Sequence, residues 1–225
     1  MESKHHFRNE FNAYVRTPIM HTEGFLPKES CEDLMYLLEE EYQKTSKINP
    51  VFEVDDTYGE NKFLNINTRT YWMNSDHRVV RNYTEIMCDA LLEANAENFR
   101  HPDPFFSSSL FITEYLAGEY RGEHIDGGYF DPERDGISHP LVIARTRQRR
   151  MTAIVLLTDE NSFEGGDLMF PEYYSQFMKR KMEPKWFKQG DLVIFDAQVL
   201  HSVTEVLSGV RMSLVHSLYN DWPYA

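Results

Sequence analysis

The sequence predicts an α+β, mainly β fold: a sandwich or jelly roll of short strands braced by N-terminal helices. Three observations carry this. Helical periodicity is confined to the first half of the chain. Beyond Pro104 the apolar runs become short, β-branched and aromatic, and Gly118, Gly127-Gly128, Gly165-Gly166, Gly190 and Gly209 punctuate them. Aromatic residues reach 14%, which suits pleated surfaces.

Taken in order, Lys28 to Lys44 places Cys31, Leu34, Met35, Leu38 and Tyr42 on one helical stripe. Pro27 suits the first turn of that helix, where its missing N–H costs nothing. Val79, Tyr83, Ile86 and Ala90 predict a second helix within Ser75 to Phe99, capped by Asn74 or Ser75. The stretch between the helices, Val51 to Trp72, is mixed, with a short strand over Thr68 to Trp72. Strands follow over Leu110 to Leu116, Tyr120 to Asp126, Arg150 to Leu157 and Asp167 to Phe170. Three more cover Leu192 to Phe195, Val199 to Glu205 and Val210 to Leu218. Gly127 to Arg149 shows no clear element. Loops of that length are functional or disordered, so a lid over a site and a plain surface insertion both stand as readings. No repeat or Pro/Gly linker divides the chain. A single domain over 1–225 is expected, with a helical support region 1–104, a β core 105–218 and a tail 219–225. The aromatic tail, Tyr219 to Tyr224, suits either a dimer contact or, through Trp222, closure over the barrel mouth.

Composition narrows the partners. The formal net charge of −13 disfavours a nucleic-acid backbone, which wants a basic face. No apolar run approaches membrane-spanning length, and Met1 to Met20 lacks the pattern of a signal peptide. A cytoplasmic location is expected. Cys31 and Cys88 form no metal or disulfide pattern and read as buried apolar residues.

The chemistry lies in His124-Ile125-Asp126. On a strand, residues two apart share a face, so the imidazole and the carboxylate point together. His201, on a distant strand, completes a two-His-one-carboxylate triad, the signature of non-haem Fe(II) oxygenases. Arg211 follows one hairpin later, where its guanidinium can clamp a carboxylate bidentately. His101-Pro102-Asp103 has the same letters, but its prolines bar it from a central strand and place it in a loop. His216 is a rival third ligand, although its odd spacing from Arg211 turns it to the opposite face. His139, in the long connection, reads as a solvated loop histidine. Gly165-Gly166 reads as a tight turn or a close backbone approach.

Several stretches in this order resemble the prolyl-4-hydroxylase-like branch of the Fe(II)/2-oxoglutarate dioxygenases, and in particular the PKHD-type hydroxylases. They are Tyr115 to Asp126 (YLAGEYRGEHID), Glu164 to Phe170 (EGGDLMF), Gly190 to Phe195, His201 to Val203 and Gly209 to Arg211, opened by Gly24 to Cys31. The resemblance runs from about Phe25 to Leu218 and implies a double-stranded β-helix. It implies Fe(II) held by His124, Asp126 and His201, with 2-oxoglutarate and O2 as cosubstrates and ascorbate as a supporting reductant. Arg211 matches the residue that binds the far carboxylate of 2-oxoglutarate. Tyr115 and Ser213 match positions that contact the same molecule, although core packing explains Tyr115 equally well and ordinary strand polarity explains Ser213 better. Asp126, the carboxylate that halogenating relatives lack, points to hydroxylation.

The implied reaction is hydroxylation of an unactivated C–H, with 2-oxoglutarate decarboxylated to succinate. Arg145, Arg147, Arg149 and Arg150 form a basic cluster near the long connection and suit either a substrate carboxylate or a solvated strand edge. A small metabolite or free amino acid is the expected substrate. A prolyl residue of a protein or peptide and a non-oxidative, metal-binding jelly roll are the alternatives. The nucleic-acid repair branch is disfavoured, because Ser217 stands where its second arginine would lie.

Overall fold

The computed structural model describes residues 7–8, 14–15, 18–44, 69–74, 78–106, 109–126, 148–170 and 185–220. In chain order the strands begin with β1 (Phe7–Arg8), β2 (Tyr14–Val15) and β3 (Ile19–Thr22), followed by helix α1 (Lys28–Lys44). Next come β4 (Arg69–Asn74), α2 (Arg78–Ala94) and a π-helical turn, Asn95–Phe99. The β-rich part holds β5 (Phe105–Phe106), β6 (Ser109–Leu116), β7 (Arg121–His124) and β8 (Gln148–Leu156). It continues with β9 (Glu164–Gly165), β10 (Leu168–Met169), β11 (Leu192–Asp196) and β12 (His201–Val203). Strands β13 (Val206–Ser208) and β14 (Val210–Asn220) complete it.

Two antiparallel layers form a jelly roll. The larger sheet runs β3-β11-β8-β14-β6-β4, with β5 also on β14. The smaller layer is β10-β12-β7, with β13 paired to β9. Strand alternation divides the larger sheet cleanly. Ile112, Ala153, Val155 and Leu214 face the helices and join Cys31, Leu34, Leu38, Met87 and Leu91 in one core. Tyr115, Ile154 and Val215 face the smaller layer and join Leu168, Phe195 and Val203 in a second core. Truncating a fully buried residue such as Leu34 or Met87 to alanine would cost about 2–5 kcal/mol.

Helix α1 has the expected bounds. Pro27 sits just ahead of it rather than inside it, and its carbonyl accepts the first helical bond, from Cys31 N at 3.2 Å. The second helix differs from expectation. Its buried stripe is Val80, Met87, Leu91 and Ala94, one residue on from the predicted one, and Val79 and Ile86 are exposed. Both stripes are apolar, and the sheet takes the one carrying the long Met87 and Leu91 side chains. The predicted cap Ser75 and most of 51–72 lie outside the described residues, as do His139 and Trp222.

Cys31 is fully buried as expected, but Cys88 is only half-buried, with its Sγ 3.4 Å from His216 Nε2. Burial pushes both thiols up to about 11, so neither is poised as a thiolate. Tyr219 belongs to β14 rather than to a tail, and its ring stacks on Phe105. No described helix is long and apolar enough to cross a membrane.

Candidate active site

His124 and His201 are direct cross-strand partners on β7 and β12. Their ring centres lie 4.1 Å apart. Asp126, two residues past His124, reaches both: Oδ1 is 3.6 Å from His124 Nε2, and Oδ2 is 3.8 Å from His201 Nε2. One ligand atom from each residue falls within 4.8 Å of the others, an arrangement that could hold a metal ion. Each imidazole is oriented from behind. His124 Nδ1 meets Gly122 O at 2.8 Å, and His201 Nδ1 meets Val199 O at 3.0 Å. A proton on each Nδ1 donates to the carbonyl and leaves the Nε2 lone pair aimed at the common point.

The electrostatics suit a cation there. Burial, then Arg121 and His201, pulls His124 down to about 3, so it is neutral at ordinary pH. Burial also lowers His201. Burial works to raise Asp126, but Arg149, His201 and Arg121 together hold it well below the ordinary carboxylate range. Thr152 donates its hydroxyl to Asp126 Oδ2, and Arg149 Nη1 lies 3.3 Å from Oδ1. The triad therefore consists of two neutral imidazoles and one anion, the protonation a divalent metal requires.

A cavity opens between the two layers at this point. Arg211, on β14, forms its far wall. The side chain is 2% exposed, and Nη1 donates to Ser213 Oγ at 2.7 Å. Its guanidinium carbon lies 5.5 Å from the ring centre of Tyr115, its partner on β6. Among the described residues no carboxylate forms an ion pair with it. A buried guanidinium with no ion-pair partner is costly: burial pulls Arg211 below its ordinary value, and the charges of Tyr115 and Asp167 offset that only in part. Such a site fits an incoming carboxylate. The glycine pair makes room for it: Gly166 has φ +64°, and a Cβ there would stand 2.9 Å from Arg211 Cδ.

The family model described as "2OG-Fe(II) oxygenase superfamily" matches residues 110–219, the span that carries all of these groups. This segment belongs to the 2OG-Fe(II) oxygenase superfamily. The family implies Fe(II), 2-oxoglutarate and O2, and the donor set of two neutral imidazoles, one carboxylate and a buried arginine fits them. A PKHD-type hydroxylase of Synechococcus is 30% identical over 103 residues, 46% of this chain and 38% of that protein. One from Klebsiella pneumoniae is 30% identical over 120 residues, 50% of this chain and 46% of that protein. The chain thus spans less than half the length of these curated relatives.

Among solved structures, a Pseudomonas putida prolyl-4-hydroxylase superimposes with a TM-score of 0.62 at 16% identity, covering 91% of this chain and 93% of that one. The viral collagen prolyl hydroxylase of Paramecium bursaria Chlorella virus-1 gives 0.58 at 19% identity, covering 90% and 96%. These likenesses concern the fold.

Within the oxygenase segment, all six sequence-predicted site residues line the one cavity. His216 does not: it faces the helices, stacked on Phe106. His101 lies in a loop, as its prolines require, 3.4 Å from Asp196. Two cavity residues take roles that strand alternation does not foretell. Arg121 and Arg149 both line the cavity, whereas Arg150 turns away and donates to Asn220. Arg149 and Arg150 are therefore not a solvated strand edge. Arg145 and Arg147 lie outside the described residues.

Proposed function

We propose that this chain is an Fe(II)/2-oxoglutarate-dependent hydroxylase acting on an unactivated C–H of a small metabolite or free amino acid. One observation carries the reading. The buried guanidinium of Arg211, in no ion pair with a carboxylate among the described residues, faces across one cavity toward the convergent His124, Asp126 and His201.

In this reading His124, Asp126 and His201 hold the iron, and Arg211 with Ser213 clamps the far carboxylate of 2-oxoglutarate. Tyr115 packs against that guanidinium and fixes its plane. The bound iron supplies oxidative decarboxylation of 2-oxoglutarate to succinate and CO2, coupled to conversion of a substrate C–H to C–OH. The chain's own residues supply orientation and a dry cavity, walled by Ile154, Leu168, Val203 and Val215. Thr152 and Arg149 keep Asp126 ionised and fixed.

The test is anaerobic visible absorption as Fe(II) and then 2-oxoglutarate are added. Wild type is expected to give a weak metal-to-ligand charge-transfer band, and His201→Ala none. A wild-type protein that binds iron but gives no band would return the chain to the alternative of a non-oxidative metal-binding jelly roll. A substrate screen by succinate release then separates small metabolites from prolyl peptides.

A further inference from the structure

The cavity carries more positive charge than the cosubstrate requires. Arg211 is assigned to 2-oxoglutarate, yet Arg121 and Arg149 line the same cavity beside the metal group. Asp126 is the only carboxylate among the described lining residues. Arg149 is matched, 3.3 Å from Asp126 and 5.9 Å from the ring centre of Tyr219.

Arg121 is not matched. Its Nε is buried with no hydrogen-bond partner, and among the described residues no hydrogen bond or ion pair reaches its guanidinium. A buried donor left unmade costs about 1–3 kcal/mol, so its presence beside a cavity calls for an acceptor from outside. The charge lies close to the site, since it acts on His124, Asp126 and His201 alike.

The backbone is built to send this side chain inward. His201 pairs with His124, but Val203 pairs with Arg121, so β7 spends three steps where β12 spends two. The extra residue is a β-bulge, and bulges re-aim side chains beside sites. Without it, residues three apart would face opposite ways.

We propose that Arg121 anchors a carboxylate of the substrate, so that the molecule oxidised is a small organic acid, free amino acids included. This rests on the oxygenase reading above. The planar fork of an arginine matches a carboxylate bidentately. Leu168 and Val203, beside it in the cavity, provide the apolar wall for the carbon chain of that acid. A cavity between two packed layers that must also admit 2-oxoglutarate favours a small partner.

The experiment uses the full chain loaded with Mn(II) and 2-oxoglutarate, which blocks turnover and allows calorimetry. Common L-amino acids and short straight-chain carboxylic acids are titrated, each paired with its carboxamide. At least one acid is expected to bind about tenfold or more tighter than its amide. Arg121→Gln should abolish that preference, and Arg121→Lys, which keeps the charge without the fork, should retain part of it. Arg121→Met removes the unbonded donor; it should fold at least as well as wild type and decides the matter if the glutamine variant does not fold.

The proposal is overturned if no acid outbinds its amide or if the preference survives in the variants. It is also overturned if Arg121→Gln weakens 2-oxoglutarate itself by about tenfold, which would place Arg121 on the cosubstrate. Failure of the oxygenase reading would show earlier and separately, as wild-type protein that does not bind 2-oxoglutarate before any acid is added.

Discussion

Thr152 donates its hydroxyl hydrogen to Asp126 Oδ2 at 2.6 Å, from the larger sheet to the end of the smaller one. The bond ties the only anionic member of the candidate metal group to a strand that contributes none of its members. Partners behind a ligand typically tune metal affinity by about 10–100-fold. Thr152→Val, nearly the same shape in a buried position, should leave the fold intact and weaken Fe(II) or Mn(II) binding by about that factor. A metal titration followed by calorimetry measures it, and unchanged affinity would remove Thr152 from the site.

Arg211→Met should separate stability from binding. Arg211 is a buried cation in no ion pair among the described residues, so the variant is expected to melt at the same temperature or higher. The upward melting shift that wild type gains from 2-oxoglutarate should vanish, as linkage requires when a ligand no longer binds. Thermal melts with and without 2-oxoglutarate check both halves. A retained shift would assign the far carboxylate to another residue.

The metal-free protein should be acid-sensitive in a defined window. His124 is pulled down to about 3 and His201 is lowered, both chiefly by burial, whereas unfolded histidine titrates near pH 6.5. Between those values the unfolded chain binds more protons than the native one. Stability therefore rises with pH across the window, is fully present above about pH 6.5 and falls as pH drops toward about 3. Asp126, held low, adds a loss of the same sign below about pH 4. Urea midpoints across this range should follow that slope, and His124→Asn should flatten it.

Gly166 and Gly118 share a left-handed backbone, with φ of +64° and +88°, but only Gly166 faces Arg211. A Cβ at Gly118 meets nothing within 4 Å. Both alanine variants should lose about 1–3 kcal/mol to backbone strain. Only Gly166→Ala should also raise the dissociation constant for 2-oxoglutarate, because the guanidinium must shift. Equal cosubstrate affinity in the two variants would show that the glycine serves the turn alone.

Much of this arrangement is legible in the sequence. Helix α1 is written in its apolar spacing, and the convergence of His124 and Asp126 in the two-residue period of a strand. The dismissal of His101-Pro102-Asp103 follows from proline alone. Other features are not local. Ile19–Thr22 is too short and polar to declare itself, and it becomes a strand only because Leu192–Asp196 offers an edge about 170 residues away. The face α2 buries depends on which of two apolar stripes meets the sheet. Arg121 and Arg149 escape because each lies three residues from a cavity neighbour, His124 and Thr152. On both strands a register shift returns them to the inner face: Val203 pairs with Arg121 and His201 with His124, while Tyr219 pairs with Arg149 and Leu218 with Met151. Alternation assigns the inward position to Arg150 instead, and one extra backbone step reverses it.

The pairing of Ile19–Thr22 with Leu192–Asp196 also governs the order of assembly on the ribosome. Residues 19–22 emerge about 170 residues before the strand they pair with. The larger sheet therefore closes later and more slowly than its local pairings, as such distant pairings do, and His201 and Arg211 follow that partner strand in the chain. A nascent chain stalled before residue 190 would hold two of the three proposed metal ligands with neither the third nor the arginine that faces them.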